Sequence, residues 1–441
     1  MNAVIVAVVI MLSLSLMRVN VILALFLGAL AGGLTGGLNL EETLSAFGAG
    51  LGGGASIALS YALLGAFAMA ISRSGIPEAL AGGIITQMDK AKAKGNPRLI
   101  KLGLLGSIIL MAIASQNLIP VHIAFIPILI PPLLGAFSRM QLDRRQVACV
   151  ITFGLTATYM LFPVGFGNIY LNEILAANLK TNGLDTTGFS MSSAMIIPVV
   201  GMFLGMLTAV FITYRKPRTY RIDEPSASSA QAIPKVSRKN ALITGLAVIL
   251  ALTAQLQTGS MSLGALVGCM TLVIGGVICW RSADDVFVQG MKMMAFCGFI
   301  MITAAGFSEV LRTTGAVPQL VNAIGEMIQG NKGLAAFMML LVGLLVTMGI
   351  GSSFSTVPII ATLYVPLGLS LGFSPLAVAA LVGTSGALGD AGSPASDSTI
   401  GPTAGLNADG QHDHIRDSVI PTFIHYNLPL LVFGWVAAMI L

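Results

Sequence analysis

Read from its first residue, the chain is a succession of apolar runs separated by short polar or basic breaks. Runs cover roughly 2–17, 20–37 and 55–72, followed by a short amphipathic piece over 77–88 and a basic loop with Lys90, Lys92, Lys94, Arg98 and Lys101. The next run, 102–114, falls short of the ~20 residues a helix needs to cross a bilayer and stops at Ser115-Gln116-Asn117. A proline-rich stretch over 118–136 and a second basic loop with Arg139, Arg144 and Arg145 come next. Apolar residues 147–162 then break at Pro163-Val164-Gly165-Phe166-Gly167-Asn168, and a polar loop and a strong helix over 191–214 close the first half.

Residues 215–240 combine Pro, Ser and Ala with seven basic side chains and read as a linker. After them the pattern starts again. Glu41-Glu42 corresponds to Asp284-Asp285, Ser72-Arg73-Ser74-Gly75 to Leu311-Arg312-Thr313-Thr314-Gly315, Ser115-Gln116-Asn117 to 352–356, and Pro163 to Pro394. Ordered matches at one offset predict two repeats, 1–214 and 241–441. The basic loops of one repeat have no basic counterpart in the other, so holding basic loops in the cytoplasm forces the repeats to cross in opposite directions. The expectation is an all-α polytopic membrane protein of two inverted-topology repeats with broken helices, about 10–12 spans or half-spans, a cytoplasmic linker and an external N-terminus.

Composition agrees. Of 441 residues 55% are hydrophobic and 9% charged, with mean hydropathy +0.89, against about 25% charged in soluble domains. The formal charge of +5 comes from the basic loops and points to topology, with the lipid bilayer and not nucleic acid as the surrounding partner. Cys149, Cys269, Cys279 and Cys297 lie in apolar surroundings without metal-site spacing and read as buried packing residues. Residues 1–17 lack a basic leader region and read as a first transmembrane helix.

Broken helices in a membrane expose backbone groups that no intact helix can spare, so the breaks are where ligands bind. Three are polar. Ser115, Gln116 and Asn117 form one, and Ser352, Ser353, Ser355 and Thr356 form the repeat-related second; their oxygens suit a hard cation such as Na⁺ or an organic solute, unless the hydroxyls merely back-bond to their own helices. The third is Gly389-Asp390-Ala391-Gly392-Ser393-Pro394-Ala395-Ser396-Asp397-Ser398-Thr399, where Gly392 and Pro394 make a continuous helix improbable and place Asp390 and Asp397 on either side of an unwound turn. Each acid can bind Na⁺ or carry a proton; acids capping helices in water are the plainer alternative. Buried acids at such depth are kept for ion or proton chemistry.

This stretch closely resembles the G-D-x-x-S-P-x-S-D-T-T signature of the NhaC-type Na⁺/H⁺ antiporter family, with Ser398 standing where the pattern has its first Thr. Looser similarity extends over both repeats. The resemblance implies re-entrant hairpins, a transport domain moving against a scaffold in some members, a bacterial inner-membrane location and a homodimer. Asp390, Ser393, Pro394, Ser396, Asp397, Ser398 and Thr399 fall on motif positions. Residues 400–405 are similar to a subgroup described as amino-acid, sometimes histidine, permeases.

The expected function is therefore secondary active transport by alternating access, coupled to Na⁺ or H⁺, with an amino acid as the solute. A simple Na⁺/H⁺ exchanger is the alternative, and an ion channel or intramembrane enzyme fits less well, since no nucleophile–base pair or H-E-x-x-H motif is present. No cofactor is expected beyond the coupling ion. His122 reads as a structural histidine, Arg73 and Arg312 as helix-end markers, and His412-Asp413-His414 with Arg416, Asp417 and His425 as a solvated loop.

Overall fold

The computed structural model describes residues 2–17, 19–76, 97–118, 122–221, 237–258, 260–320, 331–350 and 353–441. Among them every regular element is helical. The first half contains α1 (Ala3–Leu16), α2 (Val21–Thr35), α3 (Leu40–Ser72), α4 (Pro97–Ile113), α5 (His122–Arg139), α6 (Arg144–Leu161), α7 (Phe166–Thr181) and α8 (Met191–Thr213). The second contains α9 (Arg238–Thr258), α10 (Met261–Ile274), α11 (Ala283–Thr313), α12 (Lys332–Ile350), α13 (Ser353–Ser370), α14 (Pro375–Asp390), α15 (Asp397–Leu406) and α16 (His414–Ile440).

Six of the described helices are long and apolar enough to cross a membrane: α3, α8, α9, α11 (over Met294–Thr313), α12 and α16. The bent pair α6–α7, turning by 52° at its break, makes a seventh if counted as one span; α1, α2, α10, α13 and α14 are shorter apolar helices.

Local chemistry sets the helix starts. Asn39 and Glu42 form a reciprocal capping box at α3, with backbone-to-side-chain bonds of 2.8 and 2.9 Å, and paired acids occupy the first turns of α3 and α11. Ser374 caps α14 ahead of Pro375, and Ser396 caps α15.

The long helices α3 and α11 run antiparallel and form the centre of one set of elements. Their backbones approach through small residues: a Cβ placed on Gly65 would lie 2.4 Å from the Gly290 carbonyl oxygen, and one on Gly54 2.5 Å from Ile302 Cα. The exchange of halves continues outward, with α2 on α11, α10 on α3, α1 on α2 and α9 on α10. The remaining helices build the second set, in which α4 packs on α6 and α12 on α14, while each helix after a break crosses to the other half: α15 lies on α5 and α6, and α7 on α13.

At the polar break after the run 102–114 the α-helix gives way to a π-helical turn, Ala114–Leu118, and Ser115 Oγ bonds back to the Ala112 carbonyl at 2.8 Å, the back-bonding alternative; residues 119–121 lie outside the described residues. The structure corrects two sequence readings. The polar loop expected after Asn168 is helical through Thr181. Cys149 and Cys269 are buried as expected, but Cys279 is exposed at the turn before α11; the side chain of Cys297 lies outside the described residues. Arg73 caps the C-terminus of α3, and Arg312 pairs with Glu309 at 2.5 Å in the last turn of α11.

Candidate functional site

The acids stand where the sequence places them: Asp390 is the last residue of α14, Asp397 the first of α15, and residues 391–396 make the turn between. Pro394 cannot donate a backbone hydrogen bond, and Gly392 is required because a Cβ there would lie 2.8 Å from Phe423 Cα of α16. The turn holds itself together with hydroxyls. Ser396 Oγ donates at 2.7 Å to the Asp390 carbonyl, Thr399 Oγ1 at 2.6 Å to the Ser393 carbonyl, and the Ala395 amide at 3.2 Å to Ser393 Oγ.

Around Asp390, which is 8% exposed, three hydroxyls converge. Tyr159 of α6 donates to Oδ2 at 2.6 Å, Ser396 to Oδ1 at 2.6 Å, and Ser398 approaches Oδ1 at 3.5 Å. Tyr159 also reaches Ser353 Oγ at 3.4 Å, which brings the second polar cluster to the acid. Asp397, partly buried, accepts from the Tyr61 hydroxyl of α3. Among the described residues no basic side chain pairs with either acid; the ion pairs all lie elsewhere.

The other predicted residues divide. Ser353 and Thr356 are buried at the start of α13, Ser352 lies outside the described residues, and so do the side chains of Asn117, Ser355 and His122. Ser115 and Gln116 are buried on the π-helical turn, which packs against α6 and the start of α7, the acid-free break of the first half. Among the described residues no hydrogen bond joins them to Asp390 or Asp397.

The histidine segment is not a solvated loop. His412 and His414 are 2% and 7% exposed, and they are threaded into the site by a chain of contacts: His414 Nε2 with the Pro394 carbonyl at 2.8 Å, His414 Nδ1 with Thr403 Oγ1 at 2.8 Å, Thr403 Oγ1 with Ser418 Oγ at 2.8 Å, and Ser418 Oγ with His412 Nε2 at 2.8 Å. His425 is also buried, between Thr213 Oγ1 and the Pro421 carbonyl. The segment is apolar-poor in sequence yet buried because hydroxyls, carbonyls and the broken turn supply its partners. Beside it opens a cavity of about 680 Å³ lined by Asn20, Phe296, Thr403, His412, His414 and Arg416 among others.

On the same side Arg144, fully buried, donates to both carboxylate oxygens of Asp409 at 2.6 Å and to the Leu406 carbonyl at 3.0 Å, and stacks over the Tyr220 ring at 4.2 Å. Burial pushes the Asp409 carboxyl up, but the Arg144 guanidinium and the Gln411 amide overcome this and hold it below the usual range. Arg218 bonds Asp417 at 2.7 Å, so the segment leaving α8 is clamped to the first turn of α16.

Sequence reasoning missed Tyr159, Tyr61 and Asn427. Tyr159 stands four residues before Pro163 as Asp390 stands four before Pro394, a spacing visible in the sequence; Tyr61 and Asn427 carry no comparable mark.

A profile of the Na⁺/H⁺ antiporter family matches residues 150–435, and a second one, of the Na⁺-H⁺ antiporter family, matches residues 2–88. An uncharacterized membrane protein of Vibrio parahaemolyticus is 56% identical over 442 residues, covering 100% of both chains. A Bacillus subtilis protein named "Putative amino acid transporter YuiF" is 50% identical over 447 residues, again covering 100% of both. The solved YdaH transporter of Alcanivorax borkumensis aligns over 90% of this chain and 87% of its own with a TM-score of 0.41 and 14% identity. By the profile match across most of its length and by its full-length relatives, the chain belongs to the Na⁺/H⁺ antiporter family, a family of membrane transporters.

Proposed function

We propose that the protein is a secondary active transporter that exchanges or co-transports a small solute by alternating access, coupled to Na⁺ or H⁺ through Asp390 and Asp397. The observation that carries this reading is the pair of carboxylates at a broken helix whose partners are hydroxyls. A carboxylate removed from water without a counter-charge is costly, so each acid has reason to recruit a proton or a metal cation. Partners that only donate hydrogen bonds leave the remaining carboxylate lone pairs for that cation. Release to the other side then returns the charge.

For the solute, an amino acid is the reading best supported. A cavity of about 680 Å³ lies in the size range of small-molecule sites, and it presents Asn20, Thr403, Asp413, Arg416 and the histidines, a mixture of signs suited to a zwitterion. The relative's name points to the same class. Simple Na⁺/H⁺ exchange is the second reading, favoured by the all-oxygen surroundings of Asp390, which serve a bare cation without an organic partner. The two series of helices are assigned to inverted repeats 1–214 and 241–441, joined by a cytoplasmic linker, 215–240, in the bacterial inner membrane.

The test uses purified protein in proteoliposomes with imposed Na⁺ or pH gradients. Gradient-driven, saturable amino-acid uptake in the unsubstituted protein, lost in Asp397→Asn and Asp390→Asn, is the expected result. Flux that never saturates identifies a channel instead, and wild-type coupling in both folded variants removes the acids from the mechanism.

A further inference from the structure

The final helix puts a polar residue against the acid-bearing turn that neither the family motif nor the hydroxyl clusters account for. Asn427 ends a π-helical turn, Phe423–Asn427, within α16. Its side chain is fully buried, and neither Oδ1 nor Nδ2 has a hydrogen-bond partner among the described residues. It lies against the break itself, since a Cβ on Gly392 would stand 3.0 Å from Asn427 Nδ2. A buried primary amide without partners is rare in folded proteins, where such groups nearly always find a donor or acceptor.

A second orphan faces the same place. Thr156 of α6 is fully buried, and its hydroxyl too has no partner among the described residues. Positions three and four apart share a helix face, which sets Thr156 between Thr152, whose hydroxyl donates to the Ser398 carbonyl at 2.7 Å, and Tyr159, which donates to Asp390 at 2.6 Å. Both neighbours on that face touch the acid-bearing break. Asn427 and Thr156 therefore bring uncommitted polar groups to the break from two different helices; Nδ2 is the Asn427 atom nearest Gly392, and a half-turn of the terminal amide exchanges it for Oδ1. Tyr426, next to Asn427, ties α16 to α6 through its bond to the Cys149 carbonyl at 2.5 Å.

We propose that Asn427 and Thr156 are cation-binding residues, supplying Oδ1 and Oγ1 as neutral oxygen ligands to a dehydrated monovalent metal ion, Na⁺, held beside Asp390. This rests on the reading of Asp390 as the coupling acid and adds to it two neutral ligands of the cation. A proton needs only the carboxylate, whereas a hard metal cation needs several oxygens to replace its water. One carboxylate with two neutral oxygens balances a single positive charge. The full burial of both side chains suits a monatomic ion and not an organic solute.

Equilibrium binding of radiolabelled Na⁺ to the purified full-length protein, with Asn427→Leu, Asn427→Asp, Thr156→Val and Thr156→Ser variants, decides the matter. The expected result is saturable binding in the unsubstituted protein, weakened at least tenfold by Asn427→Leu and by Thr156→Val and kept within about threefold by Thr156→Ser and Asn427→Asp, which retain the oxygen. If Asn427→Leu or Thr156→Val does not fold, its oxygen-retaining partner still tests the proposal, because loss of binding in a folded Asn427→Asp or Thr156→Ser overturns the ligand role. Wild-type affinity in Asn427→Leu and Thr156→Val, with binding abolished by Asp390→Asn, overturns the proposal and leaves Asp390 as the coupling acid. No saturable Na⁺ binding in the unsubstituted protein overturns the assignment of the ion.

Discussion

Tyr159 donates its hydroxyl to Asp390 at 2.6 Å across 231 positions of sequence, the same separation that divides Pro163 from Pro394. Each stands near the end of a helix, four residues before a proline, and the two meet. A hydrogen bond to a charged group contributes about 1.5–3 kcal/mol. Tyr159→Phe is therefore expected to weaken cation-driven transport about tenfold or more, with the protein still folded. Transport kinetics across a cation titration check this, and an unchanged half-saturation would detach Tyr159 from the acid's function.

Gly392 is expected to tolerate no side chain. A methyl group there meets backbone of α16 at 2.8 Å, and overpacking of this kind costs about 1–3 kcal/mol. Gly392→Ala should lower the thermal unfolding midpoint and abolish transport, whereas Gly410→Ala, with no atom within 4 Å of its Cβ position, is strained only by its positive φ. The comparison of the two unfolding midpoints separates crowding at the break from general loss of a glycine.

The Arg144–Asp409 pair yields a pH prediction. Asp409 has its carboxyl held below the unfolded value, so its contribution is present above the unfolded pKa, about 3.9, and is lost as the pH falls through the lower folded value. Stability measured from pH 6 down to pH 2 should fall less steeply in Asp409→Asn than in the unsubstituted protein. Removing one member leaves Arg144 buried without its partner, and Asp409→Ala is expected to cost about 3 kcal/mol or more in denaturant unfolding.

Tyr61 belongs to α3 and Asp397 to α15, so their hydrogen bond joins the paired long helices to the set that carries the break. If the two sets move against each other, this bond is made and broken in each cycle. Tyr61→Phe is expected to uncouple: solute flux should persist while its dependence on the cation gradient falls severalfold. Gradient-jump assays in proteoliposomes read both quantities, and full coupling in the variant would rule this contact out as the link.

Much of this was legible in the chain. The break at 391–396 and the acids flanking it follow from proline, glycine and hydropathy pattern, because a bilayer admits broken backbone only in protected places. Other parts were not. His412 and His414 read as solvated because their neighbours in sequence are polar; the partners that bury them, Pro394, Thr403 and Ser418, come from other segments. Asn427 sits in an apolar run like many others, and only the packing of α16 against Gly392 distinguishes it.

The contact of α3 with α11 has a mechanical consequence. Where Gly65 meets Gly290 and Gly54 meets Ile302, main chain lies close against main chain. Contacts this close leave the two helices little room to slide, so they move as one stiff beam. Any stroke the molecule makes must then be taken up along the beam's outer flanks, and Tyr61 stands on one of them.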